Sequence, residues 1–411
     1  MGEWAAIPLA GLCDDVQYGV TASALTDLSN GPLLLRITDI VPPRIDWGAV
    51  LACDVAEEKV GKFELRDGDI VVARTGATVG YAKHVKRPPA RAVFASYLVR
   101  FRVGDGADPA YIGHVVQSAA YKDYVAAHAG GAAQPNANAK VLGGFPVPLP
   151  DKRTQRRIAA VLSAFDELIE INERRIELLE DLARSLYREW FVHFRFPGHE
   201  DAELVDSELG PIPEGWEVAT LDAVATVTMG QSPKSEFYSH LGEGLPFHQG
   251  VAGFGPLLPT HDKFCIVEAR TAESLDVLCS VRAPVGRLNL ADQRLVIGRG
   301  LSAIRRTDGY QAFLLLQLRQ ALGQEDSIGG GTIYKAIGRD ELAKLAVLEP
   351  LVSCVARFQA FAGPALDERL ELTLLNRQLA ATRDLLLPRL VTGRLDISHI
   401  DLGVLTPSEA Q

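Results

Sequence analysis

The chain has 411 residues, 47% of them hydrophobic and 23% charged, with a formal net charge of −10 at pH 7. That length suits two or three domains, each burying its own core, and no apolar run approaches the roughly 20 residues of a membrane span. The acidic total, taken alone, argues against a nucleic-acid partner, although such a partner needs only a local basic face. The opening MGEWAAIPLAGLCDD has no basic segment ahead of an apolar one, so a cytoplasmic setting is expected. Five scattered cysteines (Cys13, Cys53, Cys265, Cys279, Cys354) without CxxC spacing fit buried thiols in a reducing compartment.

Residues 1–150 read as a strand-rich domain. The β-prone runs LLLRITDI (33–40), DIVVART (69–75), YAKHVK (81–86) and FASYLVRFRV (94–103) are separated by Gly, Pro and Asp. A helix is predicted over 109–128, then a Gly/Ala/Asn loop, then the strand-like GGFPVPLP (143–150).

Residues 151–195 read as one long helix. Ile158, Leu162, Phe165, Ile169, Asn172, Ile176, Leu179, Ala183, Leu186 and Trp190 follow one another in alternating steps of four and three, the spacing of a coiled-coil seam. At about 1.5 Å per residue the seam extends roughly 50 Å. Asp151 is placed to cap the first turn, and Asn172 is a polar residue suited to fixing register. Leu168, Ile171, Leu178 and Leu182 lie beside the seam, where they either widen a helix–helix core or meet a partner.

The acidic, Pro- and Gly-rich stretch 196–215 has no periodicity and reads as a linker. Residues 216–349 then repeat the first domain. Trp216 and Leu221 match Trp4 and Leu9, VTMGQSP (227–233) matches VQYGVTA (16–22), and Gly286 falls on Gly80. AFLLLQLRQAL (312–322) takes the place of the late helix, GGGT (329–332) that of the Gly-rich loop, and VLEP (347–350) that of VPLP (147–150). A second long helix over 350–394 carries a seam of Val355, Phe358 and Ala362, resumed by Leu372, Leu375, Leu379, Thr382 and Leu386. Gly363-Pro364 is expected to kink or split it and Pro388 to end it, leaving a tail at 395–411. The expected architecture is therefore mixed α/β. Two strand-rich domains alternate with two long helices that pair as an antiparallel coiled coil, a pseudo-twofold internal repeat with a domain at either end.

No phosphate-binding GxxxxGK[ST], nucleophile GxSxG, zinc HExxH or calcium loop occurs, and the nine histidines show no ligand spacing. AGFGP (252–256) faintly echoes the loops of methyl-donor enzymes, without the tetrapeptide that accompanies them, and reads as a loop. Neither catalytic residues nor a metal site is expected. Charge is distributed unevenly, however. From Ile70 to Gly104 there is no acid, and from Val277 to Thr307 only Asp292 stands among six arginines. These windows supply the candidate DNA contacts: Arg74, Lys83, Lys86, Arg87, Arg100 and Arg102 in the first domain, and Arg282, Arg287 and Arg294 in the second. Gln231 and Ser232, in a Gly-containing turn, are candidate donors to phosphate or base edges. A solvated face or a structural ion pair accommodates any one of these arginines equally well.

The strings PLPDKRTQRRIAAVLSAFDELIEINERRIELLEDLARSLYREWFVHF, FRFPGHEDAELVDSELGPIPEGWEV, MGQSP and NRQLAATRDLLLPRLVTGRLDIS resemble the specificity (S) subunit of type I restriction-modification enzymes, over nearly the whole chain. Asp151 stands where that family often has Glu, and the first domain has GVT where the second has GQSP. The resemblance implies two target-recognition domains, each reading half of a split sequence in double-stranded DNA. It implies spacer helices that set the half-site separation and dock two modification (methyltransferase) subunits, with restriction subunits joining the complex in a prokaryotic cytoplasm. S-adenosylmethionine, ATP and Mg would reside on those partners, with no cofactor and no catalytic residue in this chain. The rival readings are a coiled-coil scaffold without DNA affinity and a stand-alone DNA methyltransferase or nuclease. The paired basic windows speak against the first, and the missing methyl-donor pocket and carboxylate cluster against the second.

Overall fold

The computed structural model describes residues 4–26, 31–42, 44–130, 135–323 and 336–397. GGGT at 329–332, His399 and the tail beyond 397 lie outside them. The chain forms two compact units, one of residues 1–171 with 376–411, the other of residues 172–375.

In the first unit an antiparallel sheet has the strand order Cys13–Tyr18, Leu98–Val103, Ile70–Ala73, Ala82–His84. Ile70, Val71, Val72 and Ala73 are each fully buried, so this continuous apolar run is covered on both faces. The short strand Ala6–Pro8 pairs with Pro146–Pro148 at the base of the sheet. The expected helix over 109–128 is two helices, Pro109–Gln117 and Ala119–His128. Ser118 breaks it with extended backbone and accepts the Tyr121 N–H on its Oγ at 3.2 Å. LLLRITDI is likewise only briefly a strand (Leu34–Leu35). Asp39 accepts the Arg36 backbone N–H at 2.7 Å and turns Ile37–Ile40 into a helical turn. Ile158 and Leu162 of the central helix and Leu387, Leu390 and Val391 of the C-terminal helix complete the core around Phe101, Tyr111 and Ile112.

The second unit has an antiparallel sheet of the same strand order: Ala225–Met229, Leu301–Arg306, Val277–Ser280, Leu288–Leu290. Glu217–Thr220 pairs with Ala346–Glu349 at its base. Its core is aromatic. Phe191 meets Phe313 and Phe358 edge-on at 4.9 and 5.2 Å, with Tyr187 and Trp216 alongside. The stretch 196–215 is folded onto this core rather than extended. Phe196 packs on Trp216 at 4.9 Å, and the strands Leu204–Val205 and Ile212–Pro213 form a hairpin that buries Ile212.

Two α-helices, Lys152–Tyr187 and Val352–Val391, contribute a segment to each unit. Asp151 caps the first, accepting the Thr154 N–H at 3.1 Å. A π-helical turn, Arg188–Val192, follows it. In the first unit the two segments run antiparallel. Arg383 Nη1 lies 2.5 Å from Asp166 Oδ1, and Asn376 Nδ2 donates to the Ile169 carbonyl at 3.2 Å. In the second unit Arg369 bonds Glu180 at 2.5 Å, Arg319 meets the same carboxylate, and Arg175 pairs with Glu368. Burial works against ionisation of Glu180, and the Arg369 and Arg319 guanidiniums outweigh it, holding the carboxyl below its ordinary range.

All ten seam positions of the central helix are buried or half-buried. The C-terminal helix departs from expectation. Leu372 is buried and Leu379 and Leu386 half-buried, but Leu375 is 43% exposed and Thr382 is exposed. The covered positions there are Arg369, Asn376 and Arg383, spaced by seven, so a search for apolar periodicity lands one residue off. Gly363-Pro364 does not split this helix, since a proline removes a single donor and the surrounding turns are packed through Phe358, Ala362, Ala365 and Leu366. Pro388 does not end it. The helix runs to Val391, and Gly393, with φ of 68°, closes it while Arg394 and Leu395 donate to the Arg389 carbonyl.

Candidate nucleic-acid interface

A cation can serve a ligand only if the protein has not already neutralised it, and this separates the predicted residues. In the first unit Arg100 is 2% exposed. It donates to Asp15 at 2.5 Å, Gln17 at 2.7 Å and the Glu64 carbonyl at 3.0 Å, and lies over the Phe94 ring. Arg102 is locked on Asp69 by two hydrogen bonds of 2.8 Å. Both arginines are withdrawn into the sheet. Lys83 reaches the Pro42 carbonyl at 2.8 Å. Arg74 lies 4.9 Å from the centre of the Tyr18 ring and 3.4 Å from Asn136 Oδ1. Lys86 and Arg87 are exposed; the Arg87 backbone, at φ 46°, donates to Asp67 at 2.7 Å.

In the second unit Arg294 is shared between Glu268 at 2.8 Å and Glu273 at 3.1 Å. Arg287 is exposed, its backbone N–H held by Ser280 Oγ at 2.8 Å. Arg282 is different. It lines a cavity of about 160 Å³ together with Arg299, Gln249, Gly250, Ser280 and Gly300. Arg282, Arg299 and Gln249 are all exposed, and among the described residues neither guanidinium has an acidic partner. Ser232 Oγ accepts the Arg299 backbone N–H at 3.1 Å, and the Gln231 backbone donates to Ile297 at 2.9 Å. Of the predicted residues only Arg282 lines the cavity; Ser232 is tied to its wall through the Arg299 backbone, and Gln231, Arg287 and Arg294 lie outside the lining. Arg299 and Gln249 were not singled out from the sequence. Their signal is glycine on the flanks, Gly298-Arg299-Gly300 and Gln249-Gly250.

The cavity wall is rigid. Gly298 and Gly300 donate their N–H groups to the His248 and Gln249 carbonyls at 2.8 and 3.0 Å. A Cβ on Gly300 would sit 2.4 Å from the Gln249 oxygen, so the close approach of the two segments requires glycine. Beneath Gln249, His248 Nε2 hydrogen-bonds His261 Nδ1 at 3.0 Å, and His261 Nε2 reaches Asp292 at 3.0 Å, bracing the base of the loop 249–261. Burial, reinforced by His261, lowers the His248 pKa and keeps that ring neutral. Two unneutralised planar guanidiniums beside a glutamine amide suit bidentate bonding to phosphate oxygens or to guanine and adenine edges. Among the described residues no cluster of His, Cys, Asp and Glu is arranged to hold a metal ion, and no helix is long and apolar enough to cross a membrane.

Residues 52–181 match the model of the type I restriction modification DNA specificity domain. The protein assigned as the MjaX type I restriction enzyme specificity subunit of Methanocaldococcus jannaschii is 28% identical over 96% of this chain and 94% of its own length. The MjaIX specificity subunit of the same organism is 24% identical over 84% of this chain and 83% of its own. The solved S subunit of the type I restriction-modification system from M. genitalium shares the fold, with a TM-score of 0.58 and 17% identity over 94% of this chain and 96% of that one. The match to the specificity-domain model, together with relatives aligned over 84–96% of the chain, supports a specificity subunit of the type I restriction enzymes.

Proposed function

We propose that the chain is the DNA sequence-specificity subunit of a type I restriction-modification complex and reads a bipartite duplex target, one half with each unit. The observation that carries this is the cavity lined by Arg282, Arg299 and Gln249, where among the described residues neither guanidinium has an acidic partner, so both are available to phosphates and base edges. The identical strand order of the two sheets supports an internal duplication, with the long helices pairing as an antiparallel coiled coil under pseudo-twofold symmetry. Two modification subunits and the restriction subunits are the partners of this reading, and they bring S-adenosylmethionine, ATP and Mg. This chain supplies no catalytic residue and works in the cytoplasm. Leu168 and Ile171 in the first unit, and Leu178 and Leu182 in the second, are 50–59% exposed and support docking of modification subunits along the helices.

The test is co-expression with the modification subunit, followed by light scattering and genome-wide mapping of methylated bases. One specificity chain with two modification chains, methylating a split motif, is the expected result; no complex and no split motif would refute the reading. In parallel, selection from a random duplex pool with the full chain should recover two fixed blocks separated by a degenerate spacer. Arg299→Ala should lower affinity for that duplex by about 1–3 kcal/mol, and the slope of log K against log salt should fall by about one if the contact is to phosphate.

A further inference from the structure

The hydrogen-bond registers set the two units in correspondence residue by residue. Phe101 stands between Val16 and Ile70 as Ile304 stands between Val227 and Val277. Gly19 donates to the Leu98 carbonyl as Gly230 does to Leu301, Arg74 to Tyr97 as Val281 to Gly300, and Ala95 to Leu35 as Gly298 to His248. The bridge of Thr75 to Asn136 matches that of Arg282 to Ala336. Continuing these registers, the places of Arg282, Arg299 and Gly300 in the second unit are taken in the first by Thr75, Ser96 and Tyr97, and that of Met229 by Tyr18.

Neither of the paired arginines has a cationic counterpart there. The surface instead carries rings. Tyr97 is 60% exposed and Tyr18 is 40% exposed, with its hydroxyl fixed by the Ala139 N–H at 2.9 Å. The guanidinium of Arg74 stacks on Tyr18, and its Nε is buried without a hydrogen-bond partner. Asn136 is exposed and touches it at 3.4 Å. The basic strand residues Arg100 and Arg102 lie in the sheet and are already paired.

We infer that the first unit reads its half-site with Tyr97, Tyr18, Arg74 and Asn136, so that the two half-sites are recognised by different chemistry. This rests on the reading of the second-unit cavity as a DNA contact. Two free guanidiniums select guanine, whose N7 and O6 accept both donors of the fork. Both units present an amide suited to adenine, Gln249 and Asn136, so the difference lies in the exposed phenol rings, which offer apolar contact to a thymine methyl where the second unit has its two guanidiniums. The second unit's block of the target therefore contains G·C pairs, and the first unit's block is richer in A·T.

The experiment compares the full-length chain with its Tyr97→Ala, Tyr97→Phe, Arg282→Ala and Arg299→Ala variants, using the duplex recovered from the random pool. Affinity is measured and each variant is put through selection again. Tyr97→Ala should weaken binding roughly tenfold, which is about 1.4 kcal/mol, and erase base preference in one block only, with Tyr97→Phe retaining most of it. The arginine variants should relax a G·C position in the other block. A silent Tyr97→Ala beside active arginine variants overturns the inference while leaving the cavity reading intact. Tyr97→Ala relaxing the same block as the arginines also overturns it. Silent arginine variants overturn the cavity reading and the inference built on it. Thermal melting of each variant separates a binding defect from misfolding, and Tyr97→Gln serves if the alanine variant does not fold.

Discussion

Asp69 accepts hydrogen bonds from both Nε and Nη2 of Arg102, each at 2.8 Å, and its side chain is 1% exposed. Asp69 also accepts the Arg66 backbone N–H at 2.8 Å, so one carboxylate closes the turn before the strand Ile70–Ala73 and anchors the neighbouring strand Leu98–Val103. In the second unit Asp276 accepts the Glu273 N–H at 2.8 Å and forms an ion pair with Arg305 at 2.6 Å.

Arg102→Ala should therefore be a stability variant. It strands a buried carboxylate, which costs about 3 kcal/mol, against well under 1 kcal/mol for an exposed arginine such as Arg87. Chemical denaturation should show the loss, while the folded fraction keeps wild-type duplex affinity. A lost duplex affinity with unchanged stability would return Arg102 to the interface.

Acid should destabilise the first unit through His114. Burial lowers its pKa to about 4, against the opposing pull of Asp166 at 3.6 Å and with help from Lys86, His84 and Arg383. The folded state holds the ring neutral, its Nε2 bonded to Ser163 Oγ at 3.1 Å. A histidine with a depressed folded value contributes fully above its ordinary value near 6.5, and that contribution is lost as pH falls from there towards about 4. About 3 kcal/mol is at stake over that window. His114→Gln should flatten the pH dependence of stability between those limits; a wild-type slope in the variant would show that another group governs it. His84, lowered by burial and by Lys86, adds to the same trend.

Gly230→Ala should cripple the second unit. A Cβ there would stand 2.2 Å from the Gly298 carbonyl oxygen, and one at Gly19 would stand 2.2 Å from the Phe94 oxygen. Backbone cannot yield as a flexible side chain can, so each substitution is expected to cost more than about 3 kcal/mol. Gly61, whose Cβ would meet nothing within 4 Å, is the control and should cost well under 1 kcal/mol. Circular dichroism melts of the three variants decide it.

The architecture was legible because it rests on patterns local in the chain. The seam from Ile158 to Trp190 follows helical period, the runs IVVA and VLCS are buried strands, and the matched turns at Gly19 and Gly230 share a backbone demand that only glycine meets. Where a polar residue took a covered place, periodicity misled: half-buried Asn376 and Arg383 occupy the positions that an apolar rule assigns to Leu375 and Thr382. Ser118 and Asp39 redirected the backbone through local side-chain hydrogen bonds, which composition does not register.

The interface divides along the same line. Sequence alone established where the basic residues are concentrated, because acids are missing from whole windows of chain, and it marked Arg282, Gln231 and Ser232. Only the tertiary structure decided which cations remain free. Arg100 is neutralised by Asp15, 85 residues away, and Arg102 by Asp69, 33 residues away, while Arg282 meets Gln249 and Arg299 across strands that sequence distance keeps apart. Charge is a property of the residue, but availability depends on what the fold places within a few ångströms of it.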